Sequence, residues 1–460
     1  MRIRIRAVGL ALLVLFASAA MVVAQEEDLG LGFGFDLGIG AESFPEFDSE
    51  GNEEIVTYQT LSLNPDLAIG PFGIGLDVTL HYRFTGGETS DEFEIREEDW
   101  IPVAEGSPTF LELYLPLFRY VRWGLKGEPL FIKLGSIDDA TLGNGFIMGN
   151  YSNTLFLPEK RIFGLNFDID GNLFEFPYVG FESFIGNLAH IDVLGGRLYA
   201  RPLAWLEVPI IQHLELGGTL VADIDPYFHV VEAGPEEATM LVYGADFQLP
   251  IVTSTVFSLV TFGDLVFQNE YSGGMLGFGG SFFGFLPYVF QARFLGDNFR
   301  PVYFGPTYDL YRVRNYEVAG SDIVEVEGTV GWFGRTGFSF LDGMLSLNIS
   351  IDGPFEQVAV VDPDNEWVNW PHLRGVFHLG EGLIPGLSFD AFYDKKNIQL
   401  FEDLIDPTDA VIGITINYAT GPAVLTLEYD IKFNPDYDET ITGSEQWETT
   451  ARLKSSISIF

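Results

Sequence analysis

The sequence predicts an all-β chain closed into a single antiparallel β-barrel that crosses a membrane with about 18–20 strands. Three observations predict it. Apolar and polar residues alternate with a period of two from end to end, which puts them on opposite faces of each strand. After the first two dozen residues, no apolar run reaches the roughly 18 residues of a membrane helix. Short turns and long polar connections largely alternate along the chain, as expected of short periplasmic turns and long external loops.

The chain divides into residues 1–24 and 25–460. Arg2, Arg4 and Arg6 precede an apolar run from Val8 to Val23, with small residues Val22 and Ala24 before Gln25. This is the pattern of a cleaved secretory signal. The alternative is a retained anchor, but the run is short for spanning and Glu26, Glu27 and Asp28 follow at once. The chain has no cysteine, which excludes a lipid-anchored lipoprotein, disulfides and thiolate metal sites.

Three of the 24 basic residues and none of the 66 acidic ones lie in the leader, so the remainder carries 21 against 66, a net charge of −45. Nucleic acid is excluded as a partner, because nothing would neutralise its phosphates. The 42 Phe, 19 Tyr and 52 Gly fit a barrel with aromatic interfacial girdles and tight turns. A large soluble β protein has the same alternation, so composition alone leaves both readings open.

The alternation is clear at Phe72, Ile74, Leu76, Val78, Leu80, Tyr82 and Phe84. It recurs at Phe163 to Ile169, Tyr288 to Phe294, Leu387 to Tyr393 and Ile412 to Tyr418. Leu111, Leu113 and Leu115 around Glu112 read as another strand. The first strand is expected to begin at about Asp28, leaving no room for a plug domain ahead of the barrel. On the polar face, Asp77, Arg83, Glu112, Asp168, Arg293, Arg335 and Asp390 become candidates for lining a wet lumen.

Turn chemistry places short connections at 170–172, 249–251, 341–343, 380–382 and 419–422. Long connections fall near 41–54, 86–107, 138–160, 225–238, 297–321, 353–369, 395–408 and 433–446. The connections at 119–128 and 201–212 are longer than a periplasmic turn needs, and that at 186–189 is short for an external loop.

The chain ends at Phe460 within a strand-like segment from Trp447. With the alternation, this resembles the bacterial outer-membrane β-barrels of porin-like type, over the whole length after residue 24. Barrels of that class end in a strand with a terminal aromatic that the assembly machinery reads. Here the alternate positions back from Phe460 are Ser458, Ser456 and Lys454, and the apolar register is Leu453, Ile457 and Ile459, so the terminal pattern departs from the usual one. The resemblance implies export to the outer membrane of a Gram-negative cell, and outer-membrane lipid, the assembly machinery and small solutes as partners. Oligomeric state stays open.

The segment 137–163 is unusual among the long connections. It carries Phe146, Ile147 and Met148 in its middle, with Tyr151 and many Gly and Asn around them. Apolar residues do not stay in water, and general porins fold their third external loop inward. This is the third by position, which suggests a constriction; the plainer alternative is a loop packed over the barrel mouth. Lys133, Lys160 and Arg161 are the basic candidates for facing Asp138, Asp139 and Glu159 across such a constriction. Arg119, Arg122 and Lys126 are expected in a periplasmic turn instead.

No catalytic, cofactor or metal site is expected. Gly-x-Ser-x-Gly and HExxH motifs are absent, so an enzyme is not the reading. The run Asp362-Pro363-Asp364-Asn365-Glu366 lacks a calcium loop's pattern. His372 and His378 lie six apart on one strand, roughly 20 Å, too far to share a metal. The expected function is passive diffusion of small solutes, cationic or neutral by preference because the lumen face is acidic. One alternative is transport of hydrophobic or polysaccharide cargo along aromatics of 297–321. The other is a non-conducting structural or adhesive surface barrel, plugged by that same segment.

Overall fold

The structure, a computed structural model, describes residues 31–458 apart from 48–52, 88–89, 102–108, 158–160, 207, 229–237, 322–324, 342, 357–370 and 435–445. Residues 1–24, Glu159, Lys160, the 362–366 run and Phe460 therefore lie outside the described residues.

β1 (Leu31–Phe47) and β2 (Glu53–Ile69) form the longest hairpin. β3 (Phe72–Leu76) and β4 (Val78–Gly87) both pair with β2 and act as one strand interrupted at Asp77. β5 (Ser90–Ile95) pairs with β4, and β6 (Phe118–Trp123) pairs with β3, so these two share the next position in the wall. Four short strands follow: β7 (Leu130–Gly135), β8 (Gly164–Asp170), β9 (Val179–Ile185) and β10 (Val193–Ala200). Longer ones continue the wall as β11 (Glu215–Asp223), β12 (Met240–Val252), β13 (Leu259–Gln268), β14 (Tyr271–Phe282) and β15 (Leu286–Leu295). The wall is completed by β16 (Thr329–Phe340), β17 (Leu345–Pro354), β18 (His372–Ile384), β19 (Leu387–Lys395), β20 (Ala410–Thr420), β21 (Ala423–Phe433) and β22 (Trp447–Ser458).

Every pairing between these strands is antiparallel, and β22 pairs back onto β1, so the sheet closes on itself. The 22 strands occupy twenty wall positions, because β3 with β4 and β5 with β6 each fill one. The expected all-β single barrel is the observed fold. We call the end where the described chain starts and stops the foot, and the other end the mouth.

The alternation has a physical outcome in the wall. Leu198, Leu265, Leu276 and Leu453 point outward and are more than half exposed, while Arg197, Thr219, Asp246 and Gln291 on the opposite face are buried. A polar interior inside an apolar exterior inverts a soluble protein. A lipid bilayer suits that exterior, because closure leaves no unpaired strand edge in the hydrocarbon.

Four expectations are corrected. Residues 41–47 and 53–54 extend β1 and β2, so the loop between them shrinks. Residues 249–251 and 380–382 lie inside β12 and β18, where the register shifts at Pro250/Val252 and Leu379/Ile384; the chain turns later, at 253–258 and 385–386. Such bulges imitate turns in sequence because both use Gly and Pro. Leu111 to Leu115 is no strand: α1 (Phe110–Tyr114) is a short helix closed by a capping box between Thr109 and Glu112. Finally, Arg119 and Arg122 belong to β6 rather than to a turn; Arg119 pairs with Asp66, and Arg122 lies beside the Tyr120 ring.

Candidate functional site: a plugged lumen and its cavity

Two mouth connections fold into the barrel and pack against each other. The first joins β7 to β8 through residues 136–163, and the second joins β15 to β16 through 296–328. Their backbones meet where the Val302 amide donates to the Phe146 carbonyl (2.9 Å), Phe304 to Ile147 (3.2 Å) and Gly149 to Phe304 (3.1 Å). Phe146, Met148, Tyr151, Phe299, Phe304 and Tyr308 form the centre, none more than 2% exposed. Phe146 stacks on Phe299 with centroids 5.7 Å apart. The apolar middle of the first connection thus has its apolar partner in the second, and together they make a plug. The aromatics of 297–321 are the core of this plug instead of an open track.

Charge fixes the plug to one arc of wall. α2 (Tyr308–Ala319) lies in the second connection. Its Arg312 donates to Asp192 (2.7 Å) and through Nε to Asp223 (2.6 Å), and Tyr308 also donates to Asp223. Both carboxylates are buried, as is Arg312. Below them, Arg197 on β10 donates to Asp246 (2.9 and 2.6 Å) and Glu215 (2.9 Å). Gly143 passes directly over that guanidinium: a Cβ there would sit 2.8 Å from Arg197 Nε, and its φ of +55° suits glycine. Asn144 donates to Asp264 (2.9 Å) and to the Phe247 carbonyl (3.2 Å). On the Lys396 side, the ammonium lies 3.3 Å from the Tyr311 ring centroid. Lys396 follows β19, outside the spanning strands, and burial pushes its pKa down to about 8 against the pull of Asp394 and Asp409.

Beside the plug is a cavity of about 940 Å³, bounded by the inner faces of β12 to β18. Asp138 and Asp139 line it from the plug, and Arg293, Arg335, Asp352 and Arg374 line it from the wall. Arg293 pairs with Asp352 and lies 4.5 Å from the Phe333 ring centroid.

The predicted residues separate into several sites. Phe146, Met148 and Tyr151 are plug core; Asp138, Asp139, Arg293 and Arg335 line the cavity. Lys133 pairs with Asp138 (2.9 Å), and Arg161 pairs with Asp77. Arg83 pairs with Glu94 (2.7 Å), and Asp390 with His378 (2.5 Å), both away from the plug core. Asp168 faces inward from β8 opposite Glu182 of β9. Glu112 sits on α1, where His190 meets it at 2.6 Å. Burial works against its charge, but the bonds from His190 and Thr109 outweigh burial and hold its carboxyl below the usual range. Missed altogether were Arg312, Asp192 and Asp223, which carry no mutual spacing in sequence to connect them.

No family model and no curated protein matches this sequence. Among solved structures, the chain is similar to the outer membrane protein OprD from Pseudomonas aeruginosa. The identity is 9%, over 93% of this chain and 94% of that one, with a TM-score of 0.31. It is similar to OccK9 (OpdG) from the same organism at 11% identity, over 94% and 98%, with a TM-score of 0.31. OccAB4 from Acinetobacter baumannii is similar at 9% identity, over 93% and 97%, also with a TM-score of 0.31. The reading of the site rests on this chain's own residues.

Proposed function

We propose that this protein is an outer-membrane channel through which small polar solutes diffuse passively, beside a fixed plug. The observation that carries this reading is the cavity of about 940 Å³ between the plug and β12 to β18, with charged side chains in its lining. A dry barrel interior would be apolar and filled. Charged walls that face a cavity instead keep water in it, and hydrated solutes follow. The net charge of −45 beyond the leader favours cationic or neutral solutes in the approach to the mouth. No catalytic role is assigned to any residue.

The test is conductance of the refolded protein in planar bilayers under two opposed salt gradients. Stable steps with a cation-selective reversal potential are expected, and deletion of 141–157 should enlarge them. A second reading has an observation of its own: the plug core is as buried as a protein interior. If the native barrel never conducts and only the deletion does, the plug seals it, and a structural surface role replaces the channel.

A further inference from the structure

The connection between β19 and β20 lies partly on the outside of the barrel. Asp394 of β19 points inward, where it lies 3.0 Å from His372 and 3.5 Å from Arg374, and both of those line the cavity. By the period of two, Tyr393 and Lys395 on either side of it point outward. The Tyr393 hydroxyl donates to the Leu404 carbonyl (2.7 Å), and the Lys395 ammonium donates to the Thr408 carbonyl. Residues 404–408 are therefore held against the outer face of the wall. They cover Lys395, which is buried although it points away from the lumen.

A 3-10 turn (Phe401–Ile405) forms this outer piece. Its large apolar side chains face away from the protein: Leu400, Phe401 and Ile405 are 65%, 87% and 90% exposed. Two of its carboxylates are already engaged with the backbone. Asp403 accepts from the amides of Gln399 (2.8 Å) and Leu400 (2.7 Å), and Asp406 accepts from that of Thr408 (2.8 Å). Glu402 is exposed beside the apolar residues. Large apolar side chains exposed together mark an interaction surface. The side on which they lie names the occupant. The outer wall beneath them, with Tyr393 opposite Ile412 of β20, is the face that a bilayer covers, and the turn continues that face at the mouth end of β19.

We propose that Leu400, Phe401 and Ile405 insert into the leaflet at the mouth, as a finger that fastens the β19–β20 connection to lipid. Its depth is the boundary between headgroups and acyl chains. There the apolar side chains gain by leaving water, while Glu402 keeps its hydration. The inference needs the membrane-spanning barrel and not flux through it.

The chain has no cysteine, so a single introduced cysteine can carry a nitroxide without competition. F401C and I405C are labelled separately in the full-length protein, refolded into phosphatidylcholine vesicles. Electron paramagnetic resonance compares collisions with oxygen, which dissolves in the bilayer, against those with a water-soluble nickel chelate. L276C on the outward face of the wall and E270C at an exposed mouth turn set the two ends of the scale. Both finger labels are expected towards the lipid end, with an oxygen-to-nickel ratio several-fold above that of E270C. Ratios equal to that of E270C overturn the insertion. Spin–spin broadening that grows with the protein-to-lipid ratio overturns it in favour of a second copy of the chain. The unsubstituted protein provides a reading that depends on no variant folding: in vesicles whose acyl chains carry a diazirine, light should attach lipid within residues 400–405. Adducts on the outer wall with none in that segment overturn the finger.

Discussion

The lumen has two kinds of wall. From β9 to β15 inward charges are covered by the plug: Arg197, Asp223 and Asp246 are buried, Arg197 holding Asp246 and Glu215, and Asp223 held by Arg312 of α2. From β20 through β22 to β4 several inward charges stay part-exposed, although Lys432 of β21 is buried. Arg452 faces Glu42 at 3.5 Å and Glu428 at 3.9 Å, with side chains about a third exposed. His81 sits between Asp99 (2.7 Å) and Glu42 (3.1 Å) and is less exposed than they are. Both arcs use the same alternation and the same residue types. What distinguishes them is the dielectric around the pair, and that decides whether an ion pair holds structure together or merely tolerates it.

The comparison is broken most directly at Arg312. R312A leaves Asp192 and Asp223 buried without their cation, a loss of about 3–5 kcal/mol. The plug should undock while the strands persist. Limited proteolysis should then cut within 297–321, and conductance should rise above wild type. An intact, protected plug in R312A would mean that the apolar core suffices without the ionic anchor.

A smaller effect is expected at Lys396. Its pKa is lowered to about 8 in the folded protein, so folding disfavours the charged form. The sign follows: the penalty of burying the charge is present below pH 8 and is relieved as pH rises from about 8 towards the ordinary lysine value of 10.5. Plug protection against protease should therefore strengthen across that window, by at most on the order of 3 kcal/mol. K396M should flatten the profile; a profile unchanged by K396M would place the titrating group elsewhere.

The smallest effect belongs to the wet arc. R452A should change thermal stability by less than about 1 kcal/mol, read as the temperature at which heat-modifiable mobility is lost. A shift as large as that of R312A would show that the two arcs are energetically alike after all.

These contrasts also explain what was legible in the sequence. The strand pattern of β14, β15 and β20 is readable because lipid outside and water inside impose opposite demands on successive residues. The inward fold of 137–163 was readable from Phe146, Ile147 and Met148 for the same reason: they have nowhere else to go. α1 was misread because Leu111, Leu113 and Leu115 fit a strand, and five residues are too few to separate the two periods. Its real signal was Thr109-x-x-Glu112 following Pro108, a helix-start signature. The anchors of the plug left no trace. Arg312 meets Asp192 across 120 residues and Asp223 across 89, and only closure of the barrel brings them together.

The short strands have a consequence for the surroundings of the protein. β6 to β10 run only six to eight residues, whereas a tilted strand needs about 9–11 to cross a bilayer. The barrel is thus a cylinder with one low side. Along that side the hydrocarbon must either compress or be met by side chains that no strand carries. Phe110, Leu111 and Tyr114 on α1 are exposed, and α1 is tied through Glu112 to His190 between β9 and β10. A helical turn satisfies its own backbone, which makes it the one non-strand element that lipid accepts. Lipids around this barrel will therefore not form a ring of uniform thickness.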